Sequence, residues 1–121
     1  MILEGFYEIS NTSLAGDNAV TTLKVNKDHE IYQGHFPGRP VTPGVVLMQL
    51  FKEEAERIFD KKLQLVRADN VKFTAVFDPT QDRELILESN LTETGDFIKL
   101  KGMARNNNGI VLKISSLYKV C

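Results

Sequence analysis

The chain is 121 residues long, which is enough to bury a hydrophobic core without disulfides or metal ions. Apolar residues make up 42% of it and charged residues 26%, as in ordinary globular proteins, and the net charge of −1 gives no electrostatic reason to expect a nucleic acid as the main ligand. The one cysteine, Cys121, excludes an internal disulfide, and no apolar stretch approaches the roughly 18 residues of a membrane span.

The first part of the chain predicts two strands and a stiff loop. Residues 3–13 form the first predicted strand, and residues 19–25 alternate between apolar and polar side chains, as a half-buried strand does. Residues 34–44 then hold three of the four prolines and one of the two histidines, His35. Proline restricts its own φ and the conformation of the residue before it, so this segment is predicted to be extended and rigid. The other histidine, His29, is expected on the surface.

A long helix is predicted after the loop. Thr42 is a typical N-cap residue, Pro43 suits the first helical position, and the apolar pattern continues to about Asp60. On a helical projection four residues share one side and are expected to face a sheet: Leu47, Phe51, Ala55 and Ile58.

The opposite side of this helix carries Gln49, Glu53, Glu56 and Asp60, which is typical of a solvent-exposed face. Gln49 differs from the other three because the residues next to it in the sequence are apolar. A polar group in such a setting needs a partner. Its amide therefore either bonds to a backbone carbonyl or lines a pocket.

Four more strands are predicted after the helix, with breaks at Asp78–Pro79, at residues 94–96 and at residues 107–109. Their predicted bounds are residues 65–77, 83–93, 97–106 and 110–120. Asn108–Gly109 is a strong hairpin signal. An antiparallel sheet that covers one helix is the simplest way to bury that helix, so the predicted class is α+β.

The residues from Gly34 to Gly38, with Pro40 and Pro43–Val45, resemble the signature of the (3R)-hydroxyacyl-acyl-carrier-protein dehydratases of the FabZ/FabA type. Those enzymes have the hotdog fold, in which a curled antiparallel sheet wraps around one long central helix. The resemblance implies a single hotdog domain over residues 1–121. It also implies a hydro-lyase that converts a 3-hydroxyacyl thioester on acyl carrier protein to the trans-2-enoyl thioester.

The resemblance assigns roles to four positions. His35 matches the histidine that acts as the base, and Gly44 matches the glycine whose backbone N–H binds the thioester carbonyl. The family has an acidic residue at the position of Gln49, and it commonly has glutamine at the position of Glu53. Because the two residue types are exchanged here, either Glu53 supplies the acid or the chain is a weak or inactive acyl-thioester-binding subunit.

Physical chemistry explains why the reaction needs these groups. Gly44 lies in the predicted first helical turn, where N–H groups lack internal partners and the helix dipole is positive, which suits an enolate oxygen. The unperturbed pKa of a histidine such as His35, about 6.5, leaves neutral imidazole available near neutral pH. A general acid contributes roughly 10²–10⁴ in rate, and Gln49 can donate a hydrogen bond but no proton.

Binding residues and partners also follow from the resemblance. Phe36, Val45, Met48 and Phe73 are candidates to line an acyl tunnel, although each also suits an ordinary core, and Arg39 is the candidate contact for an acidic carrier protein. The carrier is acyl carrier protein or coenzyme A, and no cofactor or metal ion is expected. In the family the sites lie at a dimer interface, which implies a homodimer or higher oligomer and admits a heterodimer with a paralogue that supplies the missing acid.

Three further expectations complete the sequence-based view. Thioester hydrolysis is a second reaction of this fold, but the histidine–proline loop argues against it. Pro37, Pro40 and Pro43 have the spacing of a polyproline II ligand, but such ligands are exposed, whereas this one continues into a predicted buried helix. Residues 1–4 lack the features of a signal peptide, so we expect a cytoplasmic protein without a membrane span.

Overall fold

The computed structural model describes residues 3–34 and 40–121. In this part of the chain six strands and one long helix follow the predicted order. The strands are β1 (Tyr7–Ala15), β2 (Asn18–Val25), β3 (Leu63–Phe73), β4 (Glu84–Thr94), β5 (Phe97–Asn106) and β6 (Gly109–Val120). The helix is α1 (Gly44–Phe59), and a short 3₁₀ helix spans Glu30–Gln33.

The six strands form one antiparallel sheet in the order β1-β2-β4-β5-β6-β3. The two edge strands are β1 and β3, and β3 pairs with the last strand, β6, rather than with its sequence neighbour β4. The helix packs against β3, β4 and β6 on one face of this sheet. The predicted α+β class, with one long helix against a single antiparallel sheet, is therefore confirmed.

The core lies between α1 and the inward face of the sheet. Leu47, Phe51 and Ala55 are buried, as the helical projection predicted, and Ile58 is partly buried. The Phe51 side chain reaches β5, where a Cβ on Gly102 would stand only 2.6 Å from a ring atom of Phe51. Only glycine at this position leaves room for the buried phenylalanine ring.

The N-terminus of α1 differs from the prediction. Pro43, and not Thr42, is the N-cap residue, and it makes no side-chain capping bond. The Thr42 hydroxyl is buried and donates instead to the carbonyl of Phe77 at 3.0 Å. A tertiary partner for the hydroxyl has therefore replaced the local capping bond that the sequence suggested.

Several boundaries also differ from those predicted. The first strand begins at Tyr7, because the residues before it form a turn in which Gly5 has a φ of +72°. The third strand spans Leu63–Phe73 and stops before residue 77. His29, predicted on the surface, is partly exposed, and its ring has a structural role: it accepts from the Ile31 N–H at 3.1 Å, caps the 3₁₀ helix and donates to the Glu4 carbonyl at 3.0 Å.

Candidate functional site

The residues on both sides of the histidine–proline loop are bonded to each other and to the segment between β3 and β4. The buried hydroxyl of Tyr32, before the loop, donates to the Thr42 hydroxyl at 2.7 Å, and Thr42 donates in turn to Phe77. The Thr42 N–H donates to the same Phe77 carbonyl at 3.1 Å. Burial is the main reason why the pKa of Tyr32 is raised to about 12. The hydroxyl therefore stays protonated, and can donate, over the ordinary pH range.

Three of the predicted site residues, His35, Phe36 and Arg39, lie outside the described residues. Their predicted roles as base, lining residue and carrier contact stay predictions. The described part of the site begins after them, at the N-terminus of α1.

Gly44 is the first residue of α1, so its N–H has no carbonyl one turn earlier within the helix to bond with. The ring of Phe73 lies directly over it, since a Cβ at position 44 would be 2.6 Å from a ring atom of Phe73. The fold thus brings Phe73, a predicted lining residue, against the predicted carbonyl-binding glycine. Glycine leaves space for a close approach that any other residue would block.

A groove with a volume of about 220 Å³ lies between the first half of α1 and the strands β3 and β6. Two predicted lining residues, Val45 and Met48, form its helix side together with Gln49 and Lys52. Its sheet side consists of Leu65, Ile114, Ser116 and Tyr118. Burial raises the pKa of the Tyr118 hydroxyl, which is therefore a neutral group in the floor of the groove. The walls are mostly apolar, as a site for an acyl chain requires.

Glu53 points to a different set of neighbours. Its Oε2 accepts from the Gln49 Nε2 at 3.1 Å, and its Oε1 accepts from the Tyr7 hydroxyl at 2.8 Å. Glu53 is not among the residues that line the groove, whereas Gln49 is. Both oxygens of Glu53 therefore accept a hydrogen bond in this arrangement.

Three residues of this network were not singled out from the sequence: Tyr7, Arg57 and Glu54. The Arg57 Nη1 donates to the Tyr7 hydroxyl at 2.7 Å, and its Nη2 donates to the Glu54 Oε1 at 2.9 Å. Burial is the main cause that raises the pKa of Tyr7 to about 12, and the bond to Glu53 adds to it. In the sequence, the only indication of this network is that Glu54 and Arg57 stand three residues apart, a spacing at which helical side chains form ion pairs.

Glu54 is 1% exposed, although its residue type suggests a surface position. Among the described residues its second oxygen, Oε2, has no hydrogen-bond partner. A buried carboxylate of this kind depends on its charged partner, so Arg57 is fixed at one end by Glu54. The network therefore runs from a buried anchor, through Arg57, Tyr7 and Glu53, to the amide of Gln49 at the groove.

These contacts define what the described site can do. A mostly apolar groove begins at Val45, next to the first residue of α1, and includes the Gln49 amide, which suits an acyl chain with a polar group near its head. Within residues 3–34 and 40–121 no cluster of His, Cys, Asp and Glu is arranged to hold a metal ion.

A family model described as ApeI-like, ApeI dehydratase, matches residues 11–108. The chain belongs to the ApeI-like dehydratase family. Its predicted resemblance to hotdog dehydratases is thereby confirmed. The 3-hydroxyacyl-[acyl-carrier-protein] dehydratase FabZ of Lactobacillus helveticus is 35% identical over 71 residues, which cover 53% of this chain and 48% of that protein. The chain spans about half to two thirds of the length of the FabZ relatives that it matches.

Solved structures agree with the fold. The dehydratase heterocomplex ApeI:P from Xenorhabdus doucetiae superposes with a TM-score of 0.72 at 19% identity, over 95% of this chain and 97% of that one. A hypothetical thioesterase from Streptococcus pneumoniae, solved with coenzyme A, superposes with a TM-score of 0.67 at 15% identity, over 99% and 91%. The hotdog fold is therefore confirmed. No helix in the described part of the chain is long and apolar enough to cross a membrane.

Proposed function

We propose that this chain dehydrates a 3-hydroxyacyl thioester, carried by acyl carrier protein or coenzyme A, to the trans-2-enoyl thioester. The observation that supports this function is the mostly apolar groove that runs from Val45, the residue after Gly44 at the helix N-terminus, to Gln49. We further propose that residues 1–121 act as one hotdog domain in the cytoplasm.

In the proposed mechanism His35 takes the proton from C2 of the substrate. The electron pair left by the C–H bond moves toward the thioester carbonyl, whose oxygen gains negative charge next to the Gly44 N–H. The pair then forms the C2–C3 double bond as the C3–O bond breaks. The departing hydroxide takes up the proton that His35 removed from C2 and leaves as water, so one C–H and one C–O bond are exchanged for the double bond and one water, and His35 returns to its neutral form.

We propose that Gln49 binds the leaving hydroxyl and that Glu53 orients Gln49. The Glu53 carboxylate already accepts two hydrogen bonds and does not line the groove. The rise of about 1.5 Å per residue separates the two positions by roughly 6 Å along the axis. Glu53 is therefore a positioning residue. The proton that the leaving hydroxide takes up does not come from the hydrogen-bond network of Glu53.

A second chain is part of the proposal. The edge strand β3 has exposed apolar residues on both of its faces, with Leu65 41%, Val66 47% and Phe73 51% exposed. Val45, on the rim of the groove, is 62% exposed. An unpaired strand edge with apolar side chains favours association with another chain. We propose at least a dimer through this edge, so that each groove is covered by the neighbouring subunit.

A specific observation favours a second candidate function, that of a subunit which holds an acyl thioester and pairs with an active paralogue. The groove contains an amide where a proton donor is needed, and the carboxylate one turn along the helix is engaged elsewhere. The neighbouring solved structure of a dehydratase heterocomplex supports this possibility. In such a complex the paralogue contributes the acid.

The experiment that tests the main proposal is an interconversion assay with 3-hydroxyacyl and 2-enoyl thioesters of both carriers. We expect turnover by the wild type, a loss of more than about 100-fold in His35→Ala, and less than a tenfold loss in Glu53→Gln. Glu84→Gln, which changes an exposed carboxylate on β4, is the charge-matched control and should leave turnover unchanged.

Three outcomes separate the possibilities. A loss in Glu53→Gln as large as that in His35→Ala would show that Glu53 is the acid. Turnover that appears only in Gln49→Glu would establish the partner-subunit function. If neither the wild type nor Gln49→Glu converts any thioester, the dehydratase proposal is refuted.

A further inference from the structure

The outward face of the sheet, opposite to α1, carries a second groove with a volume of about 250 Å³. Its side chains come from three adjacent strands, β5, β6 and β3, and form two rows across the sheet. One row is Lys101, Ser115 and Asn70, and the other is Met103, Lys113 and Lys72. Neighbouring strands lie about 4.8 Å apart and successive outward side chains about 6.7 Å apart, so the rows span roughly 10 by 7 Å.

Three of these six side chains are lysines, and two of the lysines oppose each other. Lys72 and Lys113 are directly paired across β3 and β6 in the sheet register. Like charges at directly opposed positions destabilise a sheet. None of Lys72, Lys101 and Lys113 makes an ion pair within residues 3–34 and 40–121. The repulsion is therefore not offset by the protein's own carboxylates.

The acidic residues nearest to this groove are already engaged. Glu88 lies opposite Met103 on β4, and its Oε2 is 2.8 Å from the Nε of Arg105. Asp69, next to Asn70 on β3, pairs with Arg67. The groove thus concentrates three positive charges, one amide and one hydroxyl on a chain whose net charge is −1.

We propose that this outer groove binds a phosphate-bearing ligand. A phosphate group has several acceptor oxygens and a charge that three ammonium groups match, and the Asn70 amide and Ser115 hydroxyl supply neutral donors beside them. The site is separate from the proposed dehydratase site, because the sheet lies between the two grooves. The same chemistry is found in a soluble phosphate ester and in a phospholipid headgroup.

The primary test is binding of inorganic pyrophosphate, measured by calorimetry and by thermal unfolding at constant ionic strength. We expect saturable binding that raises the melting temperature of the wild type, because a ligand of the native state stabilises it. Lys72→Gln and Lys113→Gln should each weaken binding at least tenfold. Lys99→Gln is the matched control, since Lys99 lies on the same face of β5 but outside the groove, and it should weaken binding less than twofold.

The unliganded variants give an independent readout. Lys72→Gln and Lys113→Gln remove a like-charge pair, so without ligand they should melt at the same temperature as the wild type or higher. ADP and vesicles of phosphatidylglycerol, compared with phosphatidylcholine vesicles, distinguish a soluble ester from a headgroup as the source. Absence of saturable pyrophosphate binding at millimolar concentration, or an equal weakening by Lys99→Gln, would overturn the proposal.

Discussion

Replacement of Thr42 by valine is the sharpest test of how the candidate site is held in place. Valine has nearly the same shape, so the change removes the hydroxyl without creating a cavity. The Phe77 carbonyl keeps its bond from the backbone N–H of residue 42, but the Tyr32 hydroxyl loses its acceptor in a buried position. A buried donor without a partner costs about 1–3 kcal/mol, and we expect a loss near 2 kcal/mol in the free energy of unfolding.

Urea unfolding, followed by far-UV circular dichroism because the chain has no tryptophan, measures this loss. Tyr32→Phe should cost less, about 0.5–1.5 kcal/mol, since the Thr42 hydroxyl keeps its bond to Phe77. In the double variant no hydroxyl is left unpaired, so its loss should be smaller than the sum of the single losses by about 1 kcal/mol. Losses that add within about 0.3 kcal/mol would refute the proposed contact. The same variants should lower kcat/KM for dehydration, because both residues flank the loop that contains His35.

Three further changes test other parts of the structure. Gly102→Ala should lower the free energy of unfolding by about 1–3 kcal/mol, because the new Cβ meets the buried Phe51 ring. Gly34→Ala should cost far less, because a Cβ there has no atom of the described residues within 4 Å. Equal losses would contradict this packing. Asp60→Gly should raise the free energy of unfolding by about 0.5–1 kcal/mol in the same assay, because residue 60 has a φ of 52°, a conformation that glycine adopts without strain. A loss of stability would show that the aspartate side chain is needed there. The pKa of Tyr7 is about 12 when folded and about 10 when unfolded, so its contribution to stability is complete below pH 10 and is lost between pH 10 and 12. Tyr7→Phe should reduce that alkaline loss in a pH series of melting curves, and an unchanged slope would contradict the assignment.

The sequence was sufficient to predict the helix, the strand order along the chain and the fold class. The helix was readable because Leu47, Phe51 and Ala55 recur at helical spacing, and their burial confirms that pattern. The strands were readable because apolar and polar residues alternate between clear turn signals. The sequence did not predict which strands would be neighbours in the sheet. The pairing of β3 with β6 also contains two register shifts that no periodicity reveals.

The same limit applies to the candidate site. Gln49 could be singled out because it interrupts an apolar run, and the structure places it at the groove. Its connection to Tyr7 could not be predicted, because Tyr7 and Glu53 are separated by 46 positions and meet only through tertiary packing. The opposed lysines of the outer groove likewise depend on register, since Lys72 and Lys113 lie on strands whose relative shift is set by irregular pairing.

A glutamate at position 53 is not equivalent to a glutamate at position 49, because only position 49 lines the groove. An acid at position 49 would stand against the apolar side chains of the groove, where desolvation favours the protonated form that a general acid needs. At position 53 the carboxylate instead meets the Tyr7 hydroxyl, which Arg57 holds in place, and the Gln49 amide. These contacts favour an orienting role for Glu53 over a role as proton donor, and the Gln49→Glu variant tests whether an acid in the groove itself raises turnover.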